Sequence, residues 1–141
     1  MAQAWAEGAD VCRPVKPDTI AKSLAIGNPA DGPYALELAA RSGGSVEAVT
    51  DEEIRDGIRL LAETTGIFTE TAGGVTTAVL AKLAGAGAIA PDERVVLVIT
   101  GEGLKTLDAV RGTFHSHEIE PGLDAFVEEV EGALAAGGVG R

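Results

Sequence analysis

The sequence predicts an α/β domain with a mostly parallel sheet and flanking helices. Helix-like and strand-like segments alternate along the chain, the pattern that right-handed crossovers produce. Residues 94–100 read Arg-Val-Val-Leu-Val-Ile-Thr, β-branched and apolar on both faces, as the covered interior of a parallel sheet requires. The chain has 141 residues, 45% of them hydrophobic, with a mean hydropathy of +0.17, which is enough for one real core.

Ala2 to Glu7 is a run of good helix formers and Gly8 suits the residue past a helix end, but no capping residue precedes Ala2. The expectation is the last turns of a helix whose start lies outside this sequence, with a frayed natural N-terminus as the alternative. Residues 11–29, with Pro14, Pro17, Gly27 and Pro29, read as loop with one short strand at most. A helix is predicted from Pro33 to Arg41, with proline suited to its first turn and Ser42-Gly43-Gly44 ending it. Residues 45–49 alternate as a half-exposed strand does.

Thr50-Asp51-Glu52-Glu53 is the clearest helix start, because Thr50 and Glu53 can cap each other's amides reciprocally. Ile54, Ile58 and Leu61 then form one apolar stripe, and Gly66 stops the helix after Thr65. Residues 67–69 read as a short buried strand, Ala72 to Leu83 as a helix, and residues 84–93 as a Gly/Ala/Pro-rich turn. After the long strand, Gly101-Glu102-Gly103 opens a short helix or turn. Residues 121–136 read as a closing amphipathic helix with Leu123, Phe126, Val127 and Val130 on one side. Three strands make a narrow sheet, so the rest of it is expected elsewhere. The organisation is a single unit over 1–141: a helix remnant at 1–10, sheet and helices with the site motifs at 11–120, and a closing helix and tail at 121–141.

Lys plus Arg is 11 against 22 Asp plus Glu, a net charge of −11, which disfavours nucleic acid and anionic membranes as partners. No apolar run approaches the roughly 18 residues a membrane helix needs. The start has neither the basic residues nor the apolar stretch of a secretory signal. The one cysteine, Cys12, excludes an intrachain disulfide and fits a reducing compartment, so the expected location is cytoplasmic.

In an open parallel sheet, ligands bind beyond the carboxyl ends of strands, where helix amides are free. Two such ends stand out, Thr69-Glu70-Thr71-Ala72-Gly73-Gly74 and Thr100-Gly101-Glu102-Gly103-Leu104-Lys105. Gly73 and Gly74 allow either close ligand approach or close helix packing. Glu70, at the end of a buried strand, needs a cleft, a partner or a helix N-terminus. Thr100 can donate one neutral hydrogen bond into a cleft, or serve as an ordinary strand residue. Gly101-x-Gly103 is no dinucleotide fingerprint, since Thr106 occupies the third glycine position. Lys105-Thr106 lacks P-loop spacing too. His115-x-His117 has no further ligands at structural-zinc spacing, so no metal site is expected. Cys12 has no cue for a reactive thiol.

Three motifs together, Ser23-Leu24-Ala25-Ile26-Gly27-Asn28-Pro29, then Gly66 to Thr76, then Thr100 to Lys105, resemble the C-terminal part of the threonine synthases. That family belongs to the fold type II pyridoxal phosphate (PLP) enzymes, with a tryptophan synthase β-like architecture. The resemblance runs from about Ala4 to Val130 in order and spacing. It implies that Thr100 offers its hydroxyl to the pyridine nitrogen of PLP, and that Ala25 and Glu70 flank the ring. It implies a complete enzyme that converts O-phospho-L-homoserine and water to L-threonine and phosphate.

The family's Schiff-base lysine and its glycine-rich phosphate loop lie ahead of the matched region. Lys16, Lys22, Lys82 and Lys105 are not in that context, so no catalytic residue is assigned and the chain alone is expected to be inactive. Thr71 stands where relatives often have proline. Cysteate synthase and threonine dehydratase share the cofactor logic and are the alternative enzyme readings. A binding module or one half of a split enzyme is the other alternative. The open sheet edge then suits a homodimer or a complementing N-terminal half.

Overall fold

A computed structural model describes residues 1–114 and 117–132. By its contacts the chain falls into two compact units, Met1–Ala109 and Val110–Arg141. The first holds α1 (Ala2–Ala6), a 3-10 turn at Lys22–Leu24, α2 (Gly32–Ser42), α3 (Asp51–Thr65) and α4 (Thr71–Gly85). A second 3-10 segment spans Gly103–Val110, kinked at Thr106. The second unit holds α5 (Leu123–Phe126), which continues as a π-turn over Val127–Glu131.

The helices form where their local signals place them. Pro33 sits in the first turn of α2, and Gly43 ends it in the left-handed conformation at φ 69°. At the start of α3 the Thr50 amide donates to Glu53 Oε2 at 2.6 Å, and the Glu53 amide donates to Thr50 Oγ1 at 3.2 Å. Both orphan amides are thereby satisfied. The apolar stripe of α3 is fully buried at Ile54, Ile58 and Leu61. It packs on α4 in the principal helix pair, with Gly74 against Ile54 and Ile58 and with Ala78 against Gly57.

Glycine makes that close pairing possible. A Cβ on Gly57 would run into the Gly74 carbonyl, and one on Gly74 would stand 2.7 Å from the Ile54 carbonyl. The packing alternative for Gly74 therefore holds, and Gly73 is held similarly against the Thr69 side chain. Two further ties frame this pair. The Thr19 hydroxyl and the Ile20 amide donate to Asp51 at the head of α3, and the Lys22–Leu24 turn packs on α4. A second small cluster joins Ala4, Cys12 and Leu36, with Trp5, Ala9 and Val46 against it.

The mostly parallel sheet is not formed among the described residues. Segments 45–49 and 94–99 carry no ladder there. The sole bridge found is antiparallel, between Thr69 and Glu102. The reason is physical: a strand's amides and carbonyls lie across its axis and need a neighbouring strand, whereas a helix satisfies its own. In place of a ladder, Lys82 Nζ donates to the Ala48 carbonyl at 2.9 Å, and Thr76 Oγ1 donates to the Val98 carbonyl at 3.1 Å. The closing helix is observed only as far as Gly132, and its predicted last turns lie outside the described residues. Its apolar side is not buried, with Leu123, Phe126 and Val127 exposed.

Candidate functional site

The two motif ends singled out in the sequence meet. The Glu70 amide donates to the Gly101 carbonyl at 3.1 Å, and the Gly103 amide donates to the Phe68 carbonyl at 3.0 Å. Thr69 Oγ1 also donates to the Gly101 carbonyl, at 3.1 Å. This short antiparallel clasp fixes residues 68–70 against 101–103.

Both glycines of Gly101-x-Gly103 lie against side chains of the clasp. A Cβ on Gly103 would lie 2.5 Å from the Phe68 ring, and one on Gly101 would lie 2.5 Å from Glu70 Oε1. Clearance for the Phe68 ring accounts for Gly103, and Gly101 leaves the Glu70 carboxylate and the Lys105 ammonium where they are. The sequence carried only the glycine spacing, and the neighbours that require it come from a segment about thirty residues away.

Glu70 is nearly buried, yet its carboxylate is partnered. Thr100 Oγ1 donates to Glu70 Oε1 at 3.0 Å, and Lys105 Nζ stands 3.7 Å from Oε2. The carboxylate receives no hydrogen bond from the α4 amides among the described residues, although Glu70 occupies the N-cap position of that helix. A hydroxyl and an ammonium group therefore answer the desolvation of Glu70, and the helix-terminus explanation is not needed. The lysine side chain is largely solvated, so the hydroxyl is the stronger tie.

Thr100 itself is exposed, at the end of the extended segment and not sealed under helices. Thr106 is a further participant that the sequence did not suggest: its Oγ1 accepts from the Thr71 amide at 3.2 Å, at the kink of the 3-10 segment. Lys105-Thr106, which lacks P-loop spacing, meets Glu70 and the Thr71 amide instead. The available signal was their position five and six residues beyond Thr100. Thr71 Oγ1 is buried without a hydrogen-bond partner among the described residues.

Ala25 is half-buried just after the Lys22–Leu24 turn, and its amide bonds back to the Lys22 carbonyl. No hydrogen bond joins it to Thr100 or Glu70 among the described residues. His115 lies outside the described residues, so the His115-x-His117 pair is not described; His117 Nδ1 stands 3.2 Å from Glu129 Oε1. No described helix is long and apolar enough to cross a membrane. An apolar groove of about 560 Å³ lies between α1 and α2, lined by Trp5, Pro33, Tyr34, Leu36 and Ala40, none of them a candidate site residue.

The clasp thus brings a hydroxyl on an exposed residue and a partnered carboxylate together at one place. A family profile for pyridoxal-phosphate dependent enzymes matches residues 1–101, and the chain belongs to that family. It is similar to the threonine synthase of Methanocaldococcus jannaschii, with 50% identity over 93 residues, covering 66% of this chain and 23% of the relative. It is also similar to the threonine synthase of Halalkalibacterium halodurans, with 38% identity over 124 residues (84% of this chain, 34% of the relative). The threonine synthase of Methanosarcina acetivorans is 38% identical over 117 residues (82% and 29%). The chain thus spans about a quarter to a third of the length of these curated relatives.

Pyridoxal phosphate is the cofactor of the complete enzymes of this family. The residues present fit its ring nitrogen. Thr100 is an exposed residue whose rotatable hydroxyl, bonded here to Glu70, would have to turn its proton to that nitrogen, and Gly101 beside it keeps that flank free of a side chain.

Proposed function

We propose that this chain is the C-terminal, cofactor-facing portion of a threonine synthase. In that reading the complete enzyme converts O-phospho-L-homoserine and water into L-threonine and phosphate. The observation that carries it is the Thr100–Glu70 hydrogen bond at the clasp, set in a chain 38–50% identical to threonine synthases. Thr100 would hold the pyridine nitrogen through its hydroxyl, and Glu70 and Ala25 would flank the ring. When bound, the cofactor supplies the electron sink for carbanion chemistry.

The chain's own residues perform three tasks in this reading. Thr100 presents a neutral partner, not a carboxylate, to the nitrogen, which moderates electron withdrawal. Glu70 Oε1 accepts the single proton of that hydroxyl in the chain as described, and that proton would turn from Glu70 to the nitrogen when the ring is bound. Gly101 leaves room for both. No lysine of the chain stands in the Schiff-base context, so the chain alone is inactive and contributes one wall of the site. The parallel sheet forms when the rest of the enzyme is present, with 1–141 as one α/β unit within it. Partners are the small-molecule substrate and either a complementing N-terminal part or a second copy, in the cytoplasm. The acidic charge and the lone cysteine support that location.

The test has two arms. The isolated chain, mixed with pyridoxal phosphate, is expected to give no visible absorbance band of a bound cofactor and to release no phosphate from O-phospho-L-homoserine. Supplied with the larger, preceding part of the M. jannaschii enzyme, it is expected to release phosphate. A 2-oxoacid formed from threonine instead would point to a dehydratase and overturn the reading.

A further inference from the structure

Thr100 has one hydroxyl proton, and Glu70 Oε1 accepts it at 3.0 Å. The functional reading above gives the same proton to a ring nitrogen, so two acceptors compete for one donor. Releasing Glu70 is costly by itself. The residue is only 9% exposed, and a nearly buried carboxylate left without a donor has nothing to offset its desolvation. A second donor must stand ready to replace the hydroxyl.

Lys105 is placed for that. Its Nζ stands 3.7 Å from Glu70 Oε2, beyond the roughly 2.8 Å of a charge-assisted hydrogen bond, and its side chain is 63% exposed. The ammonium is therefore near the carboxylate without being engaged by it. Gly101 keeps the space between them open. A Cβ there would meet Glu70 Oε1 at 2.5 Å and Lys105 Nζ at 2.8 Å, so both charged groups border one space that no side chain of residue 101 fills. The backbone around Lys105 is tied down: its amide donates to the Glu102 carbonyl at 3.3 Å, and Thr106 Oγ1 accepts from the Thr71 amide. Only the flexible lysine stem has to move, by about 1 Å.

We propose that Lys105 is a positioning residue that frees Thr100 from Glu70. When the Thr100 hydroxyl turns its proton away, the Lys105 ammonium closes on the Glu70 carboxylate and donates in its place. The proton stays on Thr100, and only hydrogen bonds are exchanged. What makes Thr100 turn rests on the functional reading; the exchange of donors at Glu70 does not.

Thr100→Val removes the hydroxyl, keeps the side-chain shape and tests the exchange in the full chain without cofactor. The urea-derived unfolding constant is expected to rise less than about 3-fold for Thr100→Val and less than about 3-fold for Lys105→Met. For the two together it is expected to rise about 30-fold or more, because the carboxylate then has no donor. Thr100→Val with Lys105→Arg, which restores a donor, is expected to return to within about 5-fold of the parent chain. By nuclear magnetic resonance, the Lys105 ammonium protons should exchange with water about 10-fold more slowly in Thr100→Val than in the parent.

A double-variant effect no larger than the product of the single ones, no rescue by arginine, or ammonium exchange unchanged in Thr100→Val overturns the inference and leaves the functional reading standing. If the double variant does not fold, the ammonium exchange of Thr100→Val alone decides between the same two outcomes. If the exchange of donors holds, yet Thr100→Val supplied with the preceding part of the M. jannaschii enzyme releases phosphate at the parent rate, Lys105 keeps its place and the ring-nitrogen role of Thr100 is overturned.

Discussion

The α3–α4 pair and the Arg94–Thr100 segment are both rich in apolar residues, yet the first is sealed and the second leaves Val95, Val96 and Val98 exposed and Leu97 and Ile99 half-buried. In the pair, each helix satisfies its own backbone, and Gly57 and Gly74 let the two backbones approach until Ile54 and Ile58 are almost fully buried. In the extended segment no backbone group from Val95 to Ile99 bonds to another backbone group among the described residues, and Val96 remains 88% exposed. The difference teaches that hydrophobicity alone does not bury a segment. Burial needs a surface that the chain itself can bring, and a helical hairpin brings one from nearby in sequence.

The largest effect expected from breaking this contrast is in the helix pair. Ile58→Ala removes a fully buried side chain from a contact too close to collapse further, and should cost about 2–5 kcal/mol, read as a lower urea midpoint. If the loss is under about 0.5 kcal/mol, the pair is not the core of the first unit.

Acid should loosen the head of α3 to a smaller extent. The Thr19 hydroxyl bond to Asp51 holds its carboxyl below the ordinary 3.8, and the Thr50 amide holds Glu53 below 4.5. Both groups bind protons more weakly folded than unfolded. The stability they contribute is therefore present above those ordinary values and is lost as pH falls through the depressed folded ones. Thr19→Val should lower stability at neutral pH and change little below the depressed value, so that the acid limb of a stability–pH profile flattens; an unchanged limb would exclude this tie.

The smallest effect belongs to the bare segment. Val96→Thr in the free chain should shift stability by no more than about 0.5 kcal/mol in the same urea experiment, since the side chain has little packing to lose. A shift of several times that size would mean that Val96 is covered in solution and that the contrast between the regions fails.

Much of the helical framework was legible. Thr50 and Glu53 announce α3, Pro33 and Gly43 bracket α2, and Ile54, Ile58 and Leu61 mark the buried face, because capping and periodicity act within one or two turns. Thr100 and Glu70 were legible as candidates from their places at two segment ends, and the structure bonds them to each other. Ala25 shows no such bond among the described residues. The reason for Gly101 and Gly103 was not legible, because the Phe68 ring and the Glu70 carboxylate reach them only through the clasp. Lys105 and Thr106 were read against a phosphate-loop template, whereas their partners are Glu70 and the Thr71 amide.

Sequence by itself determined the helices, their ends and the apolar character of Arg94–Thr100, since each of these depends on interactions between residues a few positions apart or on side-chain type alone. Tertiary structure decided that residues 68–70 clasp 101–103 antiparallel, that a hydroxyl answers the Glu70 charge, and that the long apolar segment stays open. Those outcomes depend on which distant backbone groups can reach one another, and strand pairing, unlike helix formation, is settled only when a neighbour is in place.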